Sequence, residues 1–143
     1  MEGETKPPAW YWIVAVLAFL WEAGGCYAYL NSVTMKATDM LRYPPAQRAV
    51  FEATPAWVWA AYAVAVWVGL GGAVGLLLRQ RWARLAFILS LIAAIVQFGW
   101  VLLATPALGQ IGASATAVPV GVVLIGAILI WFAGEAGQRG WLH

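Results

Sequence analysis

Three side chains in this chain could do chemistry inside an otherwise apolar surround: Glu22, Gln97 and Tyr62. Glu22 lies within Trp10–Leu30, an apolar run long enough to cross a bilayer. An ionised carboxylate near the bilayer centre costs about 2.5–3.5 kcal/mol on insertion scales. Glu22 should therefore face protein, water or a ligand rather than lipid. An apolar surround disfavours the charged form of a carboxyl, which suits proton coupling. No Lys or Arg lies in the interior of the spans to pair with it; Arg84 stands at the very start of the third. A neutral Glu22 hydrogen-bonded to Gln97 or Tyr62 is the simplest resting state.

Depth along the helices joins the three. Trp10 to Glu22 is about 18 Å of helix, and Arg84 to Gln97 about 20 Å from the same side. Tyr62 lies about 10 Å inward from Pro55 on the opposite side. The three are expected to form an intramembrane polar cluster from three helices. Two readings are open. One is a hydrogen-bond clasp between helices, of the kind that averages about 0.6 kcal/mol. The other is a proton-titrating or ligand-binding site.

The elements that must hold these residues are four spans, at about 10–30, 55–78, 82–105 and 115–133. Pro7-Pro8 opens the first. Thr54 as N-cap and Pro55 at the first helical position open the second. Pro106 stops the third, and Gly112 and Gly134 bound the fourth. The apolar runs are continuous rather than alternating, which excludes a membrane β-barrel. The expected fold is all-α: one integral membrane four-helix bundle over residues 1–143. Two short amphipathic helices in the first loop, one capped by Ser32 and one over Ala46–Glu52, should cover its mouth.

Composition agrees. Charged residues make up 10% of the chain against about 25% in soluble domains, so a soluble fold is excluded. A net charge of +2 without a clustered basic face argues against nucleic acid. Cys26 is the only cysteine and His143 the only histidine, which leaves no metal set and no cofactor signature. No nucleophile–base pair or phosphate loop is visible, so the chain does not read as an enzyme. Residues 1–9 lack the basic start of a secretory signal, so the first span reads as a retained anchor.

Lys6, Arg79, Arg81, Arg84 and Arg139 fall on one side of the bundle, against Lys36, Arg42 and Arg48 on the other. The positive-inside rule then puts both termini in the cytoplasm. Trp10, Trp12, Trp82 and Trp131 at one interface, with Trp57 and Trp59 at the other, form an aromatic belt. Glu135 and Arg139 are spaced for an interfacial i,i+4 ion pair.

Helix faces say what packs. Ala15, Ala18, Phe19, Gly25, Cys26 and Tyr29 share the face of Glu22. Most are small, and small faces pack in membranes, so Gly25 and Cys26 are helix-packing residues. The second span carries Gly71-x-x-x-Gly75 and a stripe of Ala65, Gly69 and Ala73. Gly71 and Gly75 can serve contacts within the bundle or between protomers. In the third span Ser90, Ala93 and Ala94 share the face of Gln97.

Three stretches carry a resemblance: Trp21-Glu22-Ala23-Gly24-Gly25-Cys26, Phe51-Glu52-Ala53-Thr54-Pro55-Ala56-Trp57 and Leu76-Leu77-Leu78-Arg79-Gln80-Arg81-Trp82-Ala83. Through them the first three spans resemble a bacterial family of small four-span proteins often described as sugar transporters, with some likeness to DoxX-type membrane proteins. In that family an Asn commonly follows the tryptophan where this chain has Glu22. The resemblance implies a multi-pass protein of the bacterial inner membrane. The expected partners are the lipid bilayer and either further copies of the chain or a partner subunit; no small-molecule substrate is specified. Two functions follow: a transporter or channel-like component acting as an oligomer around Glu22, or a non-catalytic accessory subunit of a larger membrane complex.

Overall fold

The computed structural model describes residues 6–34, 41, 43, 45, 48, 52–104 and 117–143. They form four long helices: α1 (Ala9–Val33), α2 (Ala56–Leu77), α3 (Trp82–Ala104) and α4 (Ala117–Gln138). Each is long and apolar enough to cross a membrane. Among the described residues there is no strand. The chain is an all-α, multi-pass membrane bundle in contact with lipid. Helices are the required form, because lipid offers no partner for a free backbone N–H or C=O.

Local sequence explains most of the ends. Pro8 caps α1, its carbonyl accepting from the Tyr11 amide at 3.0 Å. Pro55 is the N-cap of α2 rather than its first helical residue, and Thr54 lies outside the helix. The Pro55 carbonyl accepts from both Val58 and Trp59, so the ring's fixed φ serves the cap itself. Ser32, expected to cap a separate loop helix, lies in the last turn of α1. Val33 and Thr34 close α1 as well; most of the rest of that expected helix, most of the second loop helix, Pro106 and Gly112 lie outside the described residues.

Helix α4 runs past Gly134, the expected stop, to Gln138. A glycine inside a helix costs only about 1 kcal/mol against alanine, which does not end it. The stop is Gly140, at φ 78, where the left-handed conformation favours glycine. Its amide bonds to Gly137 and that of Trp141 to Ala136. Pro119 stands in the first turn of α4, where a missing N–H is harmless.

Helix α2 packs between α1 and α3, and α3 packs on α4. The end of the bundle holding Trp10, Arg79–Arg84 and Trp141 is here termed the base, and the opposite end the mouth. The apolar core fills the base half. It joins Tyr11, Ala15 and Ala18 of α1 to Ala73 and Leu76 of α2, Phe87 of α3 and Phe132 of α4. Tyr11 is fully buried; it stacks on Phe132 at 5.5 Å and its hydroxyl donates to the Leu76 carbonyl at 2.5 Å.

The segment after Gly140 straps the base shut. The Arg81 amide donates to the His143 carbonyl at 2.9 Å, and the His143 amide to the Arg79 carbonyl at 2.7 Å. Arg79 Nε donates to the Trp141 carbonyl at 2.8 Å. Trp141 is buried against Trp10 and Tyr11.

Candidate functional site

The small-residue face of α1 builds the site. Tyr11, Ala15, Ala18, Glu22 and Cys26 recur every three or four residues, and all five are buried. Glu22 is 9% exposed and is the one buried ionisable acid among the described residues. It lies at the upper rim of the apolar core, where α1 crosses the small stripe of α2.

Gly69 makes room for it. A Cβ placed on residue 69 would fall on the Glu22 carboxyl group, 2.7 Å from its Cδ. The acid therefore rests on bare α2 backbone. Ala65 and Ala73, one turn either side, are buried too, so the whole stripe expected on α2 faces inward. Cys26, one turn toward the mouth on α1, donates its S–H to the Val66 carbonyl at 3.3 Å. Gly25 packs on Val66 beside it.

On its other side Glu22 faces a cavity of about 30 Å³, walled by Phe87, Ser90, Leu91 and Ala94 of α3 and by Val122 and Gly126 of α4. That is room for about one water molecule. Ser90 donates its hydroxyl proton to the Ala65 carbonyl at 2.5 Å, clasping α3 to α2. Its oxygen keeps lone pairs able to accept a hydrogen bond. Among the described residues none hydrogen-bonds or pairs with the Glu22 carboxyl.

Tyr62 and Gln97 are brought together, but not to Glu22. They line a second cavity of about 200 Å³ at the mouth, with Ser32, Thr54, Val58 and Trp59. Tyr62 lies edge-on to Tyr29 at 5.2 Å and stacks on Trp59 at 6.0 Å. Along α2, residue 62 is two turns, about 10 Å, nearer the mouth than residue 69. Along α3, residue 97 stands the same distance beyond residue 90. Counting residues compares Cα heights, whereas helical side chains lean toward their own N-termini. Helix α1 runs from base to mouth, so Glu22 reaches baseward. Helix α2 runs the other way, so Tyr62 reaches mouthward.

The remaining packing candidates divide. Gly75 faces Ala83 and Trp82 of its own chain, 3.0 Å from where a Cβ would stand. Gly71 meets nothing within 4 Å. Trp21 and Trp67, two deep tryptophans, are 42% and 43% exposed. The belt tryptophans Trp10, Trp57, Trp82 and Trp131 are exposed as well. Arg139 and Glu135 pair at 3.8 Å, both partly exposed, a contact worth little.

Sequence reasoning passed over three residues. Tyr11 extends the Glu22 stripe by a further turn beyond Ala15, and the same periodicity finds it. Gly69 was visible as a stripe member but not as the residue opposite the acid. Trp141 gave no periodic signal, since it lies beyond the last helix. Compared with known protein families, with curated proteins and with solved structures, the chain shows no match.

Proposed function

We propose that this multi-pass membrane protein is a small transporter or channel-like component in which Glu22 takes up and releases a proton, working as an oligomer in the bacterial inner membrane with both termini cytoplasmic. The observation that carries the reading is the buried Glu22 carboxyl, without a partner among the described residues, on the bare backbone of Gly69. A structural clasp needs a partner; a proton site needs a carboxyl that can change charge and somewhere for the proton to go.

The surroundings supply both. The neutral acid costs less to bury than the ion where α1 meets Gly69. Once ionised it is an unpaired charge in an apolar bundle, which costs several kcal/mol. That cost drives the side chain or a helix to rearrange. Below Glu22 the packed base blocks a path. Above it lie the small face of α1 and the cavity of Tyr62 and Gln97. We infer that exchange runs mouthward, past buried Cys26, and that release toward the base requires the core to open.

Proton flux into liposomes holding the purified protein tests this. A pH gradient should drive flux in the wild type, and Glu22→Gln should abolish it with helicity unchanged. Equal flux in both would end the proton-site reading.

The accessory-subunit reading is favoured by one observation, the open face at Gly71. Co-purification with a partner of fixed stoichiometry, in place of self-association, would support it.

A further inference from the structure

We infer that the base of the bundle carries a binding site for the phosphate of an anionic membrane phospholipid, in the crevice between the start of α3 and the end of α4. The crevice holds about 450 Å³ and is lined by Arg81 and Arg84 on one wall and by Gly134, Gly137 and Gln138 on the other.

Charge and shape point the same way. Neither Glu135 nor any other acidic side chain lines the crevice among the described residues, so no side-chain carboxylate there competes for the two guanidinium groups. Arg81 is steadied by its Nε, which donates to the Leu142 carbonyl at 3.4 Å. Arg84 lies along bare α4 backbone: its Nε is 3.3 Å from where a Cβ on Gly134 would stand. Gly137 leaves the opposite stretch of wall open, with nothing within 4 Å of an added Cβ. The guanidinium fork suits phosphate oxygens, which it can bind bidentately. Gln138 brings an amide donor to the same crevice.

Position selects the source of the phosphate. Arg81 and Arg84 stand within one turn of the start of α3, and Gly134–Gln138 form the last turn of α4. Both are span ends, at headgroup depth. Leu85 and Trp131 beside them are 58% and 65% exposed, presenting apolar surface to acyl chains. Basic pockets between membrane helices at this depth fit lipid headgroups.

The test uses the purified full chain in detergent, titrated with phosphatidylglycerol, with phosphatidylcholine of the same acyl chains, and with inorganic phosphate. Thermal unfolding and native mass spectrometry give stabilisation and bound lipid. Phosphatidylglycerol should bind and raise the unfolding midpoint, and the other two should not. Arg84→Gln should weaken binding about tenfold or more, the worth of one charge-assisted contact. Gly137→Leu should do the same by filling the crevice while both arginines remain. Equal stabilisation by phosphatidylcholine, a full effect of inorganic phosphate, or undiminished phosphatidylglycerol binding by both variants would overturn the assignment.

Discussion

Glu22 and Gly69 are complementary across the α1–α2 interface: the carboxyl of one occupies the space that a side chain on the other would fill. Gly69→Ala should therefore displace the acid. The clash falls on the far end of a flexible side chain, so the bundle should still form, at a cost of roughly 1–3 kcal/mol for overpacking. Adding Glu22→Ala should recover most of that loss. A double-mutant cycle of unfolding in mixed micelles measures the coupling, and additive losses would separate the two residues.

Tyr11 ties α1 to the end of α2 at the base. Tyr11→Phe keeps the stack on Phe132 and loses only the bond to the Leu76 carbonyl. Its expected cost is about 0.6 kcal/mol and not above about 1.7. Tyr11→Ala also empties a buried ring site and should cost several-fold more. Equal losses in the two variants, read from the same unfolding assay, would mean the ring contributes nothing.

The two glycines of the α2 pair should behave differently. Gly75→Leu drives a side chain into Ala83 and Trp82, so the single chain loses stability. Gly71→Leu meets open space within the chain and should leave helicity and unfolding unchanged. If the Gly71 face meets another copy, the assembly in lipid should shrink in the Gly71 variant. Unchanged assembly size would assign that face to lipid.

Orientation is open to labelling. Cys26 is buried, 5% exposed, so background is low. In intact cells an impermeant thiol reagent should label Glu52→Cys near the mouth and spare Gln138→Cys at the base. The reverse pattern would invert the assignment of both termini to the cytoplasm.

Much of this arrangement was legible because lipid reduces the rules to a few. Continuous apolar runs gave the four helices, and the three-four spacing around Glu22 gave its buried face, from Ala15 to Cys26. Small residues on α2 marked the stripe that receives it. The partner of Glu22 was not legible, because helix counting fixes neither the crossing of two helices nor the lean of a side chain. Tyr62 and Gln97 do line one cavity, but Tyr62 stands two turns mouthward of Gly69. The end of α4 was misplaced because a glycine within a helix and a glycine ending one look alike in sequence. Only the left-handed backbone at Gly140 tells them apart. The strap of Trp141–His143 depends on backbone bonds, which no side-chain pattern encodes.

The protonation state of Glu22 is the sharpest test of the buried proton site. Difference infrared spectroscopy on protein reconstituted in lipid, wild type against Glu22→Gln, isolates the carbonyl stretch of this one carboxyl. A protonated-carboxyl band is expected at neutral pH, absent from the variant, and lost reversibly as the medium is made alkaline. A spectrum showing Glu22 ionised down to about pH 4, as for a solvated glutamate, would contradict it. The side chain would then lie in water or beside a partner's cation, and the buried proton site would be ruled out.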